Sequence, residues 1–144
     1  MIKGCVSRLI KPSNINGNIV KATAFDLREV TPPETYVSFF KVGEGNKESK
    51  YILGYKSIVS AFKNSLSNNA AIALISIEEC LENINDEDEA LIEFKEKMLP
   101  HCGLYYLTSN LSKINEIKTT LAYLANINVM KVREVKSLQK VLEK

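Results

Sequence analysis

The chain has 144 residues, the length of one domain, and with 45% hydrophobic and 25% charged residues its composition excludes disorder, collagen-like repeats and a disulfide-dense miniature scaffold. Its formal charge of +2 is too mild by itself to imply a nucleic-acid or membrane partner. That small total hides an uneven distribution: residues 1–65 sum to +5, residues 66–99 to −7 and residues 100–144 to +4.

Along the chain, Cys5 to Ile10 is short and mostly apolar, and Lys11 to Asn18 is dense in turn residues, with Asn16-Gly17 able to adopt positive φ at little cost. This pattern predicts a hairpin whose second strand runs from Ile19 to Leu27. Thr31-Pro32-Pro33-Glu34 has capping-box spacing with proline at the first helical positions, which predicts a single helical turn. Tyr36 to Val42 has the aromatic and β-branched content of a strand, and Gly43 to Glu48 reads as a polar connector. Ile52, Tyr55, Ile58, Val59, Phe62 and Leu66 then recur at helical spacing, ending at Asn68-Asn69.

The continuous apolar run Ala70 to Ile75 suits a buried strand, and Ser76 with Glu79 caps a helix carrying Ile77, Cys80, Leu81 and Ile84. Asp86-Glu87-Asp88-Glu89 before Leu91, Phe94, Lys95 and Met98 has the acidic first turn favoured by a helix dipole, with Pro100 as its end. Gly103 to Thr108 reads as a second buried strand. Ser109 or Asn110 caps the longest helix, whose stripe is Leu111, Ile114, Ile117, Leu121 and Leu124. Val129 to Val132 is a last extended segment, and Ser137 to Lys144 a terminal helix with Leu138, Val141 and Leu142 inward. The fold class expected is α+β over residues 1–144 as one domain: N-terminal antiparallel strands, then helices alternating with buried strands, packed on one mixed sheet.

Cys5, Cys80 and Cys102 leave one thiol unpaired under any connectivity and lack metal-finger spacing, which points to a reducing cytoplasm. The N-terminus lacks the apolar core of a signal peptide, and the longest apolar stretch is far short of a membrane span, so no membrane partner is expected. Gly43-Glu44-Gly45 lacks the rest of a phosphate loop, no serine sits in a nucleophile elbow, and one histidine cannot build a multi-histidine zinc site. No metal, cofactor or catalytic group is assigned.

Candidate sites come from the few residues that composition does not explain. Lysines outnumber arginines sixteen to three, so the arginines are where specific anion chemistry is sought. Arg8 lies inside an apolar run, where a buried guanidinium requires a partner. Arg28, with Ser38 and Tyr36 on the third predicted strand, would complete a small surface for phosphate or carboxylate. The bland alternative is a surface pairing of Arg8 with Asp26 or Glu29. His101-Cys102 is the most reactive-looking pair, although neighbours on an extended chain point to opposite faces. Glu78, Glu82, Asp86, Glu87 and Asp88 are candidates for docking a basic partner, and equally for helix starts and a solvated face. The basic residues are dispersed, which argues against nucleic acid; an outward Phe39 or Phe40 beside Lys41 is the one feature suited to stacking a base.

The succession Val6-Ser7-Arg8-Leu9-Ile10-Lys11-Pro12, Ala24-Phe25, Tyr36-Val37-Ser38, Ile75-Ser76-Ile77-Glu78-Glu79-Cys80 and Pro100-His101-Cys102-Gly103-Leu104 resembles the order of segments in small uncharacterised bacterial proteins of similar length. The resemblance implies a compact bacterial domain with Arg8, Ser38 and His101 as neighbours, and implies no mechanism. The function expected first is that of a non-enzymatic accessory protein binding another protein, of the immunity, antitoxin or defence-system kind. The alternatives are a small enzyme or binding domain that recognises an anion through Arg8, Arg28 and Ser38, with His101 beside them, and a nucleic-acid-binding module.

Overall fold

The computed structural model describes residues 3–28, 32–63 and 65–143. In chain order its elements are strand β1 (Cys5–Ile10), the short strands β2 (Ile15–Asn16) and β3 (Ile19–Val20), β4 (Val37–Lys41), helix α1 (Lys47–Phe62), β5 (Ala71–Ser76), α2 (Ile77–Ile84), β6 (Ile92–Glu96), β7 (His101–Tyr106), α3 (Leu111–Ile127), β8 (Val129–Lys131) and α4 (Val132–Leu142). Six strands form one sheet in the order β6-β7-β4-β1-β5-β8. The class is α+β as expected, with every pairing antiparallel rather than mixed.

Strand alternation divides the core in two. Val6, Ile10, Phe39, Ile75 and Leu104 pack with Ile77 and Cys80 of α2 and with Ile117, Leu121 and Leu124 of α3. On the opposite face Phe40, Ile72 and Leu74 pack with Tyr51, Ile52 and Ile58 of α1 and with Val132 and Val135 of α4. Gly54 brings α1 close to the sheet, since a Cβ there would lie 2.8 Å from the Ser7 side chain, whose buried hydroxyl donates to the Phe40 carbonyl. Three helix starts follow polar side chains: Asn46, Ser76 and Asn110 accept from the backbone N–H groups of Ser49, Glu79 and Lys113, whereas α4 begins after Lys131 without a side-chain cap. Helix α1 ends at Lys63 in the left-handed conformation, before Asn68-Asn69, so Leu66 is buried from a loop.

Several local expectations are corrected. Strand β1 pairs with β5 over six positions and with β4 over two, not with residues 19–27. Gly17, at φ +63, closes only the small β2–β3 hairpin, and Ala22–Phe25 forms a 3-10 turn that buries Ala24 and Phe25. Thr31 lies outside the described residues, and Pro32 to Thr35 make no helical turn. The segment after the acidic run is not a helix: Ile92 to Glu96 pairs with β7 along five positions, and Ile92 and Phe94 alternate with Glu93 and Lys95 as a strand requires. The last helix begins at Val132, and it is Val132, Val135 and Leu138 that face inward while Val141 and Leu142 are exposed. No helix among the described residues is long and apolar enough to cross a membrane.

Candidate binding cleft

The site begins with an interruption in the sheet. Strands β1 and β4 pair only at Val6 with Lys41 and Ser7 with Phe40, so from Arg8 onward they part. The Arg8 guanidinium bridges the opening. Its Nη1 donates to the Ser38 carbonyl at 2.8 Å, and its Nε and Nη2 donate to the Ala24 carbonyl at 2.9 and 2.7 Å. The rings of Phe25 and Phe39 lie 5.7 and 5.8 Å from its central carbon. Neither expected surface pairing describes this: Asp26 is paired with Lys118, and Glu29 lies outside the described residues. Among the described residues no carboxylate bonds Arg8. Burial lowers its pKa to about 10, and nearby Arg28 pulls the same way against Tyr106 and Glu34.

A cavity of about 150 Å³ opens at this split, lined by Arg8, Lys11, Arg28 and Ser38 and by the carboxylates of Asp26 and Glu34 among others. Arg28 reaches it from the end of the 3-10 turn and is held there by Glu34, whose carboxylate accepts the Arg28 N–H at 2.6 Å and pairs with its Nε at 3.0 Å. Partial burial raises the Glu34 carboxyl, but the Arg28 N–H and guanidinium outweigh it and hold the group below the ordinary value. Arg8, Arg28 and Ser38 thus line one cavity from elements distant in the sequence.

His101 joins them from the other face of the sheet. Its Nε2 lies 3.2 Å from Ser38 Oγ, so one serine is held through its carbonyl by Arg8 and through its hydroxyl by His101. The imidazole stacks on Phe40 at 5.2 Å, and Tyr36 and Tyr105 continue the row of rings across the sheet with centroid spacings of 5.7 and 5.4 Å. Gly103 makes that row possible, because a Cβ there would lie 2.6 Å from the Tyr36 ring. Lys97 caps both tyrosines at 4.5 and 4.9 Å. Burial, then the charge of Lys97, lowers the His101 pKa and favours the neutral ring. The expected outward aromatics are corrected: Phe39 is buried between Phe25 and Phe94, Phe40 is buried beneath α1, and Lys41 pairs with Glu96.

A second cavity, about 650 Å³, runs from Ser38 along the C-terminal half of α1 to the turn between β6 and β7. It shares Ser38, Phe40 and Phe62 with the first. Its apolar walls at Phe62, Met98, Leu99 and Pro100 were missed in the sequence. Phe62 falls at helical spacing in the sequence but is exposed at the end of α1, and Met98 fits the stripe of a helix that does not form. Their signal was legible only as apolar residues at or just beyond the ends of elements.

The chemistry available is chiefly recognition. Ser38 and His101 have the spacing of a nucleophile and base, yet among the described residues no carboxylate bonds the other ring nitrogen to orient it. Burial raises the thiols of Cys80 and Cys102 to about 12 and 11, so neither is an activated nucleophile, and Cys102 points away from its neighbour into the opposite core. Glu78, Glu82, Asp86, Glu87 and Asp88 are exposed on α2 and the loop after it. Glu78 accepts the Gly4 N–H, and Asp86 accepts those of Asp88 and Glu89. Among the described residues no group of three or more His, Cys, Asp or Glu is placed to hold a metal ion. Comparison with protein-family models, with curated proteins and with solved structures finds no match.

Proposed function

We propose that the protein is a binding module that holds an anion, a carboxylate or phosphate, at the split between β1 and β4. The observation that carries this reading is the convergence of Arg8, Lys11 and Arg28 with Ser38 on one cavity, where the two lining carboxylates, Glu34 and Asp26, are paired with Arg28 and Lys118 and the half-buried Arg8 is bonded to carbonyls rather than to a carboxylate among the described residues. A half-buried cation without a counter-ion is electrostatically costly, and an anion in the cavity relieves that cost. The guanidinium fork has five N–H groups, of which three are committed, so donors remain for a ligand oxygen. Without an oriented dyad or an activated thiol, binding is better supported than nucleophilic catalysis. The test is NMR observation of the arginine Nε–H signals during titration with inorganic phosphate and with acetate. Saturable shifts at Arg8 and Arg28, weakened in Arg28→Gln, are expected; unmoved signals would refute the reading.

A macromolecular partner, as for an accessory protein of the immunity, antitoxin or defence-system kind, is the second reading. Its specific support is the ring row of Tyr36, Tyr105 and His101 across β4 and β7, which stays partly exposed. Retention of one partner by the wild type and its loss in the Tyr36→Ala, Tyr105→Ala double variant is the expected result, and equal retention by both removes this face from consideration.

A further inference from the structure

Resting on the anion reading above, we infer that the ligand is amphipathic, with its anionic head at Arg8, Lys11 and Arg28 and an apolar tail in the adjoining groove under Phe62, Met98 and Leu99. The two cavities are neighbours by construction, since Ser38, Phe40 and Phe62 line both. The head cavity, about 150 Å³, is too small for a ligand of drug-like size, whereas the groove of about 650 Å³ is within the usual range for one.

Charge divides along this path. Three cations, Arg8, Lys11 and Arg28, and two carboxylates, Asp26 and Glu34, line the cavity at the split. Glu34 is paired with Arg28 and Asp26 with Lys118, which leaves Arg8 and Lys11 without a carboxylate partner among the described residues. The groove's own Lys56 is paired with Glu143 just past α4, and its His101 favours the neutral ring. Apolar surface divides the opposite way. Met98 is 84% exposed, Leu99 61% and Phe62 48%, an uncovered rim contributed by two separate elements, the β6–β7 turn and the end of α1. Folding leaves that rim in water, and covering it is favourable by the hydrophobic effect. A ligand with charge at one end and hydrocarbon at the other satisfies both ends in one orientation; a purely polar anion leaves the groove wet, and a neutral hydrocarbon leaves Arg8 and Lys11 unmatched. Carboxylate and phosphate monoester heads share the required chemistry.

Calorimetric titration, kept below the critical micelle concentrations, separates these possibilities. One arm uses acetate, hexanoate, octanoate and decanoate; a second uses alkyl phosphates of matching length; octanol is the neutral control. Affinity is expected to rise roughly fourfold per added methylene until the groove is filled, with octanol at least about tenfold weaker than octanoate. The tighter arm identifies the head group. The exposed-residue variants Met98→Ser and Leu99→Ser are expected to flatten the dependence on chain length while leaving acetate or phosphate binding unchanged. Short anions that bind with no gain from chain length overturn the inference and leave the anion reading standing. Octanol binding as tightly as octanoate, or an unchanged length dependence in both variants, also overturns it. Failure of every anion, inorganic phosphate and acetate included, overturns both.

Discussion

Replacing Arg8 by methionine keeps the length of the stem and removes the charged fork, so it measures what the fork does across the split between β1 and β4. Two main-chain carbonyls, those of Ala24 and Ser38, lose charged donors, and each such bond contributes about 1.5–3 kcal/mol. Two ring contacts, with Phe25 and Phe39, also disappear, each worth about 0.5–1 kcal/mol. Against this, methionine abolishes the cost of burying a cation. The fall from 12.5 to about 10 in the Arg8 pKa corresponds to about 3 kcal/mol. The balance is a net destabilisation of about 2 kcal/mol, with about 6 °C lost from the melting temperature for a domain of this size. Arg8→Lys is expected to be at least as damaging, because an ammonium keeps the buried charge but cannot serve both carbonyls in the same geometry. Urea unfolding at pH 7.5, with the slope checked against the wild type, reads both variants. Stability of Arg8→Lys within about 0.5 kcal/mol of the wild type would show that the fork does not hold the split together.

Three further predictions bear on the surroundings of the cleft. Gly103→Ala forces the Tyr36 ring off β7, since the new methyl would meet it at 2.6 Å, and is expected to cost about 1–3 kcal/mol; unchanged stability with unchanged ring-current shifts at His101 would show that the rings do not lie across Gly103. The thiols of Cys80 and Cys102, raised by burial, are expected to react with a disulfide reagent only at the rate of unfolding, and prompt labelling of either in the native protein contradicts their placement in the core. The His101 pKa is lowered in the fold by burial and by Lys97, so the folded state binds its proton less readily than the unfolded chain. Its contribution is therefore neutral above the ordinary value of 6.5 and becomes destabilising as pH falls through that value towards the folded one. His101→Gln should flatten that part of the stability profile, and an identical profile in the variant counts against it.

Much of the fold was legible where local chemistry and tertiary packing agree. The cap at Ser76, the cap at Ser109 or Asn110 that falls on Asn110, the apolar run Ala70–Ile75 and the stripe through Ile117, Leu121 and Leu124 act over a few residues and survive in any context that buries them. Residues 86–98 show where agreement fails. Acids ahead of Leu91, Phe94 and Met98 satisfy a helix, while Ile92 and Phe94 alternating with Glu93 and Lys95 satisfy a strand, and both periodicities are present in the same letters. Pairing with His101–Tyr106, supplied by a turn only a few residues long, decided for the strand.

The candidate site divides in the same way. Arg8 stands out in the sequence because a charge within an apolar run must be solvated, paired or bonded, and that requirement holds whatever the topology. Which of the three applies depends on carbonyls 16 and 30 residues away, brought to it by strands that pair for two positions and then part. Sequence by itself determined an α+β chain with the starts of its second and third helices, two of its buried strands and a guanidinium in need of acceptors, because these follow from local hydrogen bonding and the burial of apolar side chains. Only the tertiary structure decided that Ser38 would be gripped from both faces of the sheet and that Phe62, Met98 and Leu99 would rim a groove. A cavity is the space left between elements, and its shape depends on how distant segments cross rather than on any segment's own pattern.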